Sequence, residues 1–307
     1  MIPCSNENLK SNLLTIYSLP IQFSEKAGDR CLKSLSKATF ENYQRIYITC
    51  STQAVKLLVA YKKSDAPEVY QDWNCSVVSF DELSSILNSL LDLNLAEGKT
   101  HRHQIMVSSL GHFSNLDIEV ISTSEGNKMN IAVLDASGGS LTYLYALLPA
   151  LKELKAKHSF IENFFYTEGC IQEDKLTCGV FAFNIAKQLK KLPDFHSFLK
   201  KNAAPDGKIS WRLLPASLLK QAQPQTFISD SSQMSEQFCN QKSESLRTYF
   251  VKHKGFIDVK PDIQRNLAST DQYLKYAERL RPIIESLSCA ELNEVIDGKK
   301  PLKPFKI

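Results

Sequence analysis

Four residues of this chain have side chains that together could transfer an acyl group through a thiol. A cysteine nucleophile needs a base within hydrogen-bonding distance, an acid that orients the base and a donor for the oxyanion. We predict Cys178 as the nucleophile and His112 as its base. Asp135 would orient the base, and Gln172 would supply the donor. Each residue has an ordinary alternative role, as a buried cysteine, a structural histidine or a turn-forming aspartate. Their combination favours catalysis.

The nucleophile candidate opens an apolar segment with helical periodicity. Apolar side chains recur three and four residues apart over 178–189, which predicts a buried helix. Thr177 occupies the N-cap position, so Cys178 falls in the first turn. Because the amides at a helix start carry partial positive charge, this position favours a thiolate over a thiol.

Period-two patterns predict the strands that would position the other candidates. These strands are expected at 103–109, 116–121, 129–134 and 161–166. His112 lies just before the second strand, and Asp135 ends the third. Since a hairpin would pair these two strands, we expect both side chains at one edge of the sheet.

Two further helices are expected around the sheet. The first spans 82–91, with Asp81 as its N-cap, and the second runs from about 141 to 155, with a kink at Pro149. The overall pattern predicts an α+β fold in which a small sheet precedes the helix of Cys178.

The composition is that of an ordinary globular protein, with 43% hydrophobic and 23% charged residues over 307 positions. We expect no membrane-spanning segment, because no apolar run approaches about 18 residues, and no ordinary signal peptide. The eight cysteines form no CxxC pair and none lies near a histidine at zinc spacing, so we expect no metal. Scattered cysteines fit a reducing compartment.

Positive charge is concentrated in the C-terminal part of the chain. Residues 1–178 hold 16 basic and 20 acidic side chains, a net charge of −4, whereas residues 179–307 hold 21 and 13, a net charge of +8. This distribution fits either a solvated basic surface or a polyanion site. Aromatic residues are not interleaved with the basic ones, so we expect no nucleic acid partner.

The segments around the four candidates resemble the core of the CE clan of cysteine enzymes. The clan includes the SUMO and ubiquitin-like proteases and the YopJ family of bacterial effector acetyltransferases. The resemblance rests on Gly111-His112-Phe113, Val133-Leu134-Asp135-Ala136-Ser137, Gln172 and Thr177-Cys178-Gly179-Val180-Phe181. It implies a papain-type α+β core, with a small mixed sheet flanked by helices and an added helical regulatory region. It also implies the catalytic roles given above.

Within the clan, the layout is more similar to the YopJ family than to the proteases. Roughly 130 residues follow Cys178, longer than a typical tail of the protease domain. The lead-in also matches, with a helix, Arg102, His112 and Asp117 in that order. Residues 214–223 resemble the family's Leu-Pro…Lys-His-x-Gln-Ser segment, although Gln221 replaces the His and Pro224 the Ser. Asp135 and the Gly179-Val180-Phe181 sequence read more like the protease branch.

This resemblance implies an activity, cofactors and partners. In the YopJ family the cysteine accepts an acetyl group from acetyl-coenzyme A (acetyl-CoA) and passes it to Ser, Thr or Lys of a host protein, with inositol hexakisphosphate (IP6) as activator. The partner would be a kinase-like or other signalling protein, reached by a secreted bacterial effector in the host cytosol. One alternative is a CE-clan protease that removes ubiquitin or a ubiquitin-like modifier. A second is a catalytically weak binding module.

Binding residues and domains follow from the same resemblance. Lys220 is expected in the coenzyme site. The polyphosphate site is expected to use basic residues, namely Arg102, Arg247, Lys252 and Lys254. We expect a catalytic core at 79–225. The regulatory region is expected to have two helical parts, an N-terminal one at 1–78 and a C-terminal one at 226–307.

Overall fold

The structure is a computed structural model, and its described part comprises most of the chain after residue 51. The described ranges are 9–11, 13–14, 52–109, 112–138, 143–172, 178–224, 236–239, 242–252, 257–260, 263–265 and 268–302. Of the described residues among 251–274, and of residue 277, only the backbone is described. The predicted N-cap Thr177 and the predicted ligand Lys254 lie outside the described residues.

Six strands form a mixed sheet and lie side by side in sequence order. They are β1 (Cys75–Ser79), β2 (Thr100–Ser109), β3 (His112–Thr123), β4 (Gly126–Leu134), β5 (Ile161–Glu168) and β6 (Lys208–Ser210). The pairs β2–β3 and β3–β4 are antiparallel, whereas β1–β2, β4–β5 and β5–β6 are parallel. Each parallel pair is joined by a crossover that contains a helix, as parallel pairing requires. All four strands expected from the sequence are present. A separate two-stranded sheet pairs β7 (Ile257–Lys260) with β8 (Ile263–Arg265).

Helices cover both faces of the six-stranded sheet, and further helices follow it in the chain. The helices with defined bounds are α1 (Pro67–Tyr70), α2 (Leu83–Leu91), α3 (Leu148–Lys157), α4 (Cys178–Leu189), α5 (Phe195–Asn202), α6 (Leu246–Lys252), α7 (Ala268–Ser286) and α8 (Cys289–Ile296). Residues 52–65 are also helical. The predicted helix of the nucleophile candidate is thus present and begins at Cys178.

One detail of the helix predictions is corrected. The turn before α2 is capped by Ser79 and not by Asp81, because the Ser79 amide donates to Glu82 Oε2 at 2.7 Å and a 3₁₀ turn precedes the helix. Pro149 lies in the first turn of α3, directly after a π-helical turn at Tyr143–Leu147. The kink expected at Pro149 stays a prediction.

The alternating side chains of the strands build two apolar layers, one on each side of the sheet. One layer joins Leu116, Ile118 and Val120 of β3 to apolar residues of α2 and α3. The other joins Ala132 and Leu134 of β4 to the buried side of α4 and to residues after β6. Because α4 packs on β3 and β2, its first residue is held near the end of the sheet at which β3 begins.

Contacts divide the chain into two compact units. The first consists of Asn74–Ala268 and contains the eight strands of the described residues. The second consists of Met1–Trp73 and Ser269–Ile307. In the second unit, α8 begins with a capping box between Ser288 and Glu291. The three ranges expected from the sequence stay a prediction. Among the described residues, no helix is both long and apolar enough to span a lipid bilayer.

Candidate active site

His112 and Asp135 are brought together by the pairing of β3 with β4. The register places Asn115 opposite Leu134, so the next residues in each direction, Ser114 and Asp135, become neighbours. His112 lies two residues before Ser114 and therefore projects from the same face of β3. His112 Nε2 lies 2.6 Å from Asp135 Oδ2. The hairpin expected from the sequence thus produces the expected proximity.

Besides Asp135 and the Ser137 hydroxyl, which lies 3.4 Å from Nε2, the His112 imidazole has the thiol of Cys178 as a hydrogen-bonding partner. Since Nε2 faces the carboxylate of Asp135, Nδ1 is the nitrogen left for the thiol. Cys178 is the first residue of α4 and is only 3% exposed. Its sulfur therefore lies between an imidazole and the positive end of a twelve-residue helix.

The carboxylate of Asp135 is fully buried and receives five hydrogen bonds. Its Oδ2 accepts from His112 Nε2 and from the hydroxyl of Ser114. Its Oδ1 accepts from the amide of Ser137 at 3.0 Å, from the Ser137 hydroxyl at 2.8 Å and from the amide of Gly138 at 2.9 Å. The last three contacts form an Asx turn, so Asp135 is both a turn former and a partner of the histidine.

The main chain of Asp135 is also held in place. Its amide donates to Thr167 Oγ1 at 3.1 Å, and its carbonyl accepts from Trp211 Nε1 at 3.2 Å. Thr167 belongs to β5, and Trp211 follows β6 directly. Two further parts of the sheet thus fix the acid in position.

These contacts set the charge of the pair. Burial lowers the pKa of His112, but hydrogen bonds and negative charge from Asp135 and Cys178 outweigh it and raise the pKa to about 10. Burial raises the pKa of the Asp135 carboxyl, but the hydrogen bond and charge of His112, with the two serine hydroxyls, hold it below its ordinary value. At neutral pH the site therefore contains an imidazolium between the carboxylate and the sulfur.

The loop that carries Gln172 is fastened to the residue after Asp135. The carbonyl of Ala136 accepts from the amides of Ile171 and Gln172 at 2.7 and 2.9 Å. Gly138 lies against the same loop with a φ of +53°, and a Cβ atom there would come within 1.9 Å of the Gly169 carbonyl oxygen. Gln172 is buried beside this junction, and residues 173–177, which connect it to Cys178, lie outside the described part of the chain.

Lys220, the predicted coenzyme ligand, lies in a partly apolar environment after β6. Its ammonium is 5.3 Å from the centre of the Tyr249 ring, and burial, joined by the charge of Lys191, lowers its pKa. The position therefore joins an amine of reduced basicity to an aromatic face.

The predicted polyphosphate residues are not gathered into one cluster by the described contacts. Arg247 forms an exposed ion pair with Glu236, at 2.8 Å between Nη2 and Oε1. Only the backbone of Lys252 is described, within α6. Arg102 lies on β2, where its guanidinium contacts Asp117 and the carbonyls of Leu192 and Pro193. Binding of a polyphosphate by Arg102 would require exchange of these partners, and its assignment stays a prediction.

Four residues that contact Asp135 were not identified from the sequence, namely Ser114, Ser137, Thr167 and Trp211. Ser137 has a local signal, because Asp-x-Ser-Gly favours an Asx turn. Ser114 could be found from the hairpin register once His112 and Asp135 were paired. Thr167 and Trp211 come from distant parts of the chain, and nothing local identifies them.

A mixed sheet followed by a helix that begins with cysteine is the papain-type α+β architecture of the CE clan, as the sequence predicted. Residues 41–281 match the family model described as YopJ serine/threonine acetyltransferase. The chain therefore belongs to the YopJ acetyltransferase family. A search of curated protein sequences finds no match.

Solved structures of this family share the fold. A structure titled "AvrA delL154 with IP6, CoA" has a TM-score of 0.60 at 18% identity, with 90% of this chain and 98% of that chain covered. HopZ1a in complex with IP6 gives 0.55 at 12% identity, covering 91% and 98%. HopZ1a with IP6 and CoA gives 0.51 at 11% identity, covering 96% and 99%.

Proposed function

We propose that this chain transfers an acetyl group from acetyl-CoA through a thioester on Cys178 to a protein side chain. The observation that carries the proposal is the His112 imidazole, which contacts Asp135 on one side and Cys178 on the other. Membership of the acetyltransferase family supports acetyl as the group transferred. A buried cysteine without this arrangement would not support catalysis.

In the first half-reaction the Cys178 thiolate attacks the acetyl carbonyl of acetyl-CoA. A C–S bond forms, and the carbonyl oxygen becomes an oxyanion that Gln172 would stabilise. The intermediate then collapses, breaks the bond to the coenzyme sulfur and leaves the acetyl group on Cys178. His112 donates its proton to the departing coenzyme thiolate, so free coenzyme leaves as a thiol.

In the second half-reaction His112 acts as a base. Acetylation removes the negative charge of Cys178, which is one of the causes of the high pKa of His112. The imidazole is therefore a better proton acceptor after its first proton has left. It takes the proton of the acceptor hydroxyl or amine as this group attacks the thioester, and the Cys178 thiolate is released. The carboxylate of Asp135 stabilises the imidazolium that forms again.

Because the chain belongs to this family, we propose two ligands for it, acetyl-CoA as substrate and IP6 as activator. The similar structures include AvrA with IP6 and CoA and HopZ1a in complex with IP6 and CoA. In this chain the ammonium of Lys220 lies beside the Tyr249 ring. Such a pair of side chains suits a ligand that contains both phosphate and an aromatic base. The net positive charge of residues 179–307 supports a polyphosphate site formed by Arg247, Lys252 and Lys254.

The acceptor and location follow from the family as further proposals. The acceptor is a Ser, Thr or Lys side chain of a host signalling protein, and the chain acts as a secreted bacterial effector in the host cytosol. A protease specific for ubiquitin or a ubiquitin-like protein would use the same thiol chemistry. Asp135 and the residues after Cys178 favour this second candidate, since they read like that branch of the clan.

One experiment separates these candidates. Purified protein is incubated with labelled acetyl-CoA, with and without IP6, and in parallel with a ubiquitin probe that carries a C-terminal electrophile. We expect acetyl labelling that increases with IP6 and is lost in Cys178→Ala, and no rapid capture of the probe. IP6 should also raise the Tm, less so at high salt or after charge reversal at Lys252 and Lys254. Probe capture without acetyl labelling would favour the protease, and inactivity in both assays a binding module.

A further inference from the structure

Ser114 occupies a special position relative to the triad candidates. It lies on β3 two residues after His112, on the same face of the strand, and is almost completely buried. Its hydroxyl donates to Oδ2 of Asp135, the same oxygen that faces His112 Nε2. One strand therefore supplies both groups that contact this oxygen.

The other carboxylate oxygen is held by a different part of the chain. Oδ1 accepts from the two amides and the hydroxyl of the turn formed by Ser137 and Gly138. With donors on both oxygens, the buried carboxylate cannot rotate without breaking several hydrogen bonds. The turn fixes one oxygen, and Ser114 fixes the angle at which the other meets the imidazole.

We propose that Ser114 is a positioning residue for acyl transfer, because its hydroxyl holds the Asp135 carboxylate in the orientation that receives the His112 imidazole. The inference rests on the proposed function in one respect: its first test measures acetyl transfer. The titratable groups that face the carboxylate are His112 on β3 and Tyr143 on the π-helical turn, and Cys178 on α4 faces it across the imidazole. Ser114 itself does not titrate, so it acts through these groups.

Ser122 provides a matched control on the same strand. It is also buried, projects from the same face and donates its hydroxyl to the Leu95 carbonyl at 3.1 Å. Eight residues separate it from Ser114, about 27 Å along an extended strand. Ser122→Ala therefore removes one buried hydroxyl and one hydrogen bond far from Asp135.

The test compares Ser114→Ala and Ser122→Ala in the full chain. We expect Ser114→Ala to lower kcat for acetyl transfer about tenfold without a change in the KM for acetyl-CoA, since a hydrogen bond to a charged group is lost. The acid limb of the pH profile of kcat/KM for acetyl-CoA reports formation of the thiolate–imidazolium pair in the free enzyme, and it should move to higher pH by about one unit, because the imidazolium is held less well. Ser122→Ala should keep kcat within about twofold and leave the acid limb in place.

A second assay works without acetyl transfer. The rate of Cys178 alkylation by iodoacetamide is followed against pH, and its acid limb should move upward in Ser114→Ala but not in Ser122→Ala. If the wild type transfers no acetyl group, the proposed function fails, yet this shift would still support the positioning role. Identical alkylation and rate profiles for both variants would overturn it. A shift to lower pH would also overturn it, because Ser114 would then compete with His112 for Oδ2.

Discussion

Arg102 holds both oxygens of the Asp117 carboxylate, from Nε at 2.7 Å and from Nη2 at 2.6 Å. Asp117 is completely buried and also lies 3.1 Å from Nε2 of His196 on α5. The same guanidinium donates to the carbonyls of Leu192 and Pro193, which follow the end of α4. This ion pair therefore ties β2 and β3 to the far end of the helix that begins with Cys178. It is a separate network from the His112–Asp135 pair, because Asp117 projects from the opposite face of β3 to His112.

Asp117→Asn should lower the free energy of unfolding by about 3–5 kcal/mol, because it leaves a largely buried guanidinium without its anion. The pKa of Asp117 is pushed up by burial but held below its ordinary value by His196 and Arg102. Its contribution to stability is therefore present above the pKa of an unfolded Asp and is lost as the pH falls through the lower folded value. Urea denaturation between neutral and acidic pH measures this. Equal stability of the variant and the wild type would show that the pair does not hold the fold.

Asp135→Asn should lower the rate of acetyl transfer by a factor on the order of 10²–10⁴ while the protein stays folded. The variant loses the charge that raises the pKa of His112, whereas the burial that lowers it remains. The pKa of His112 should therefore fall, and NMR titration of the imidazole ring measures it. Asp117→Asn serves as the comparison. If that variant lost the activity and Asp135→Asn kept it, the orienting acid would have been assigned wrongly.

The positions of the candidate site residues in the fold could be predicted from the sequence, but most of the residues that surround them could not. Cys178, His112 and Asp135 could be placed because strand alternation and helical periodicity put each at the end of an element, and a hairpin joins two of those elements. Ser79 was missed as a cap because Asp81 is equally good as a local signal, and only the 3₁₀ turn decides between them. Trp211 could not be placed beside Asp135, since 76 residues separate the two and a tertiary contact joins them. The ion pair of Arg102 with Asp117 depends on the register of β2 with β3, and this register could not be predicted from the composition.

The raised pKa of His112 should make a pH-dependent contribution to folding stability. The folded value is about 10 against an ordinary value of 6.5, so the contribution is fully present below pH 6.5 and is lost as the pH rises through 10. The difference in unfolding free energy between the wild type and His112→Ala should therefore shrink between these two pH values. Chemical denaturation across this range measures the difference. A constant difference would mean that the imidazolium is not stabilised in the folded protein.

Gly138→Ala should be strongly destabilising and should also reduce activity. Besides the strain of a positive φ, its Cβ would lie 1.9 Å from the Gly169 carbonyl oxygen, so the Asp135 turn or the Gln172 loop must move. Gly98 is the matched control, because it has a φ of +75° but a Cβ atom there would meet no neighbouring atom within 4 Å. Gly98→Ala should cost only about 1–2 kcal/mol. Comparable losses in thermal denaturation of the two variants would contradict the close packing of the two loops.

In the proposed reaction, Cys178 carries the acetyl group between donor and acceptor. The most direct measurement is mass spectrometry of protein mixed with acetyl-CoA and IP6, without an acceptor and quenched in acid. Peptide mapping should find one acetyl group on Cys178, released by hydroxylamine as a thioester is, and Cys178→Ala should not form it. The same adduct should form more slowly in Asp135→Asn. Acetylation confined to other residues, and unchanged in Cys178→Ala, would show that the acetyl group does not pass through Cys178.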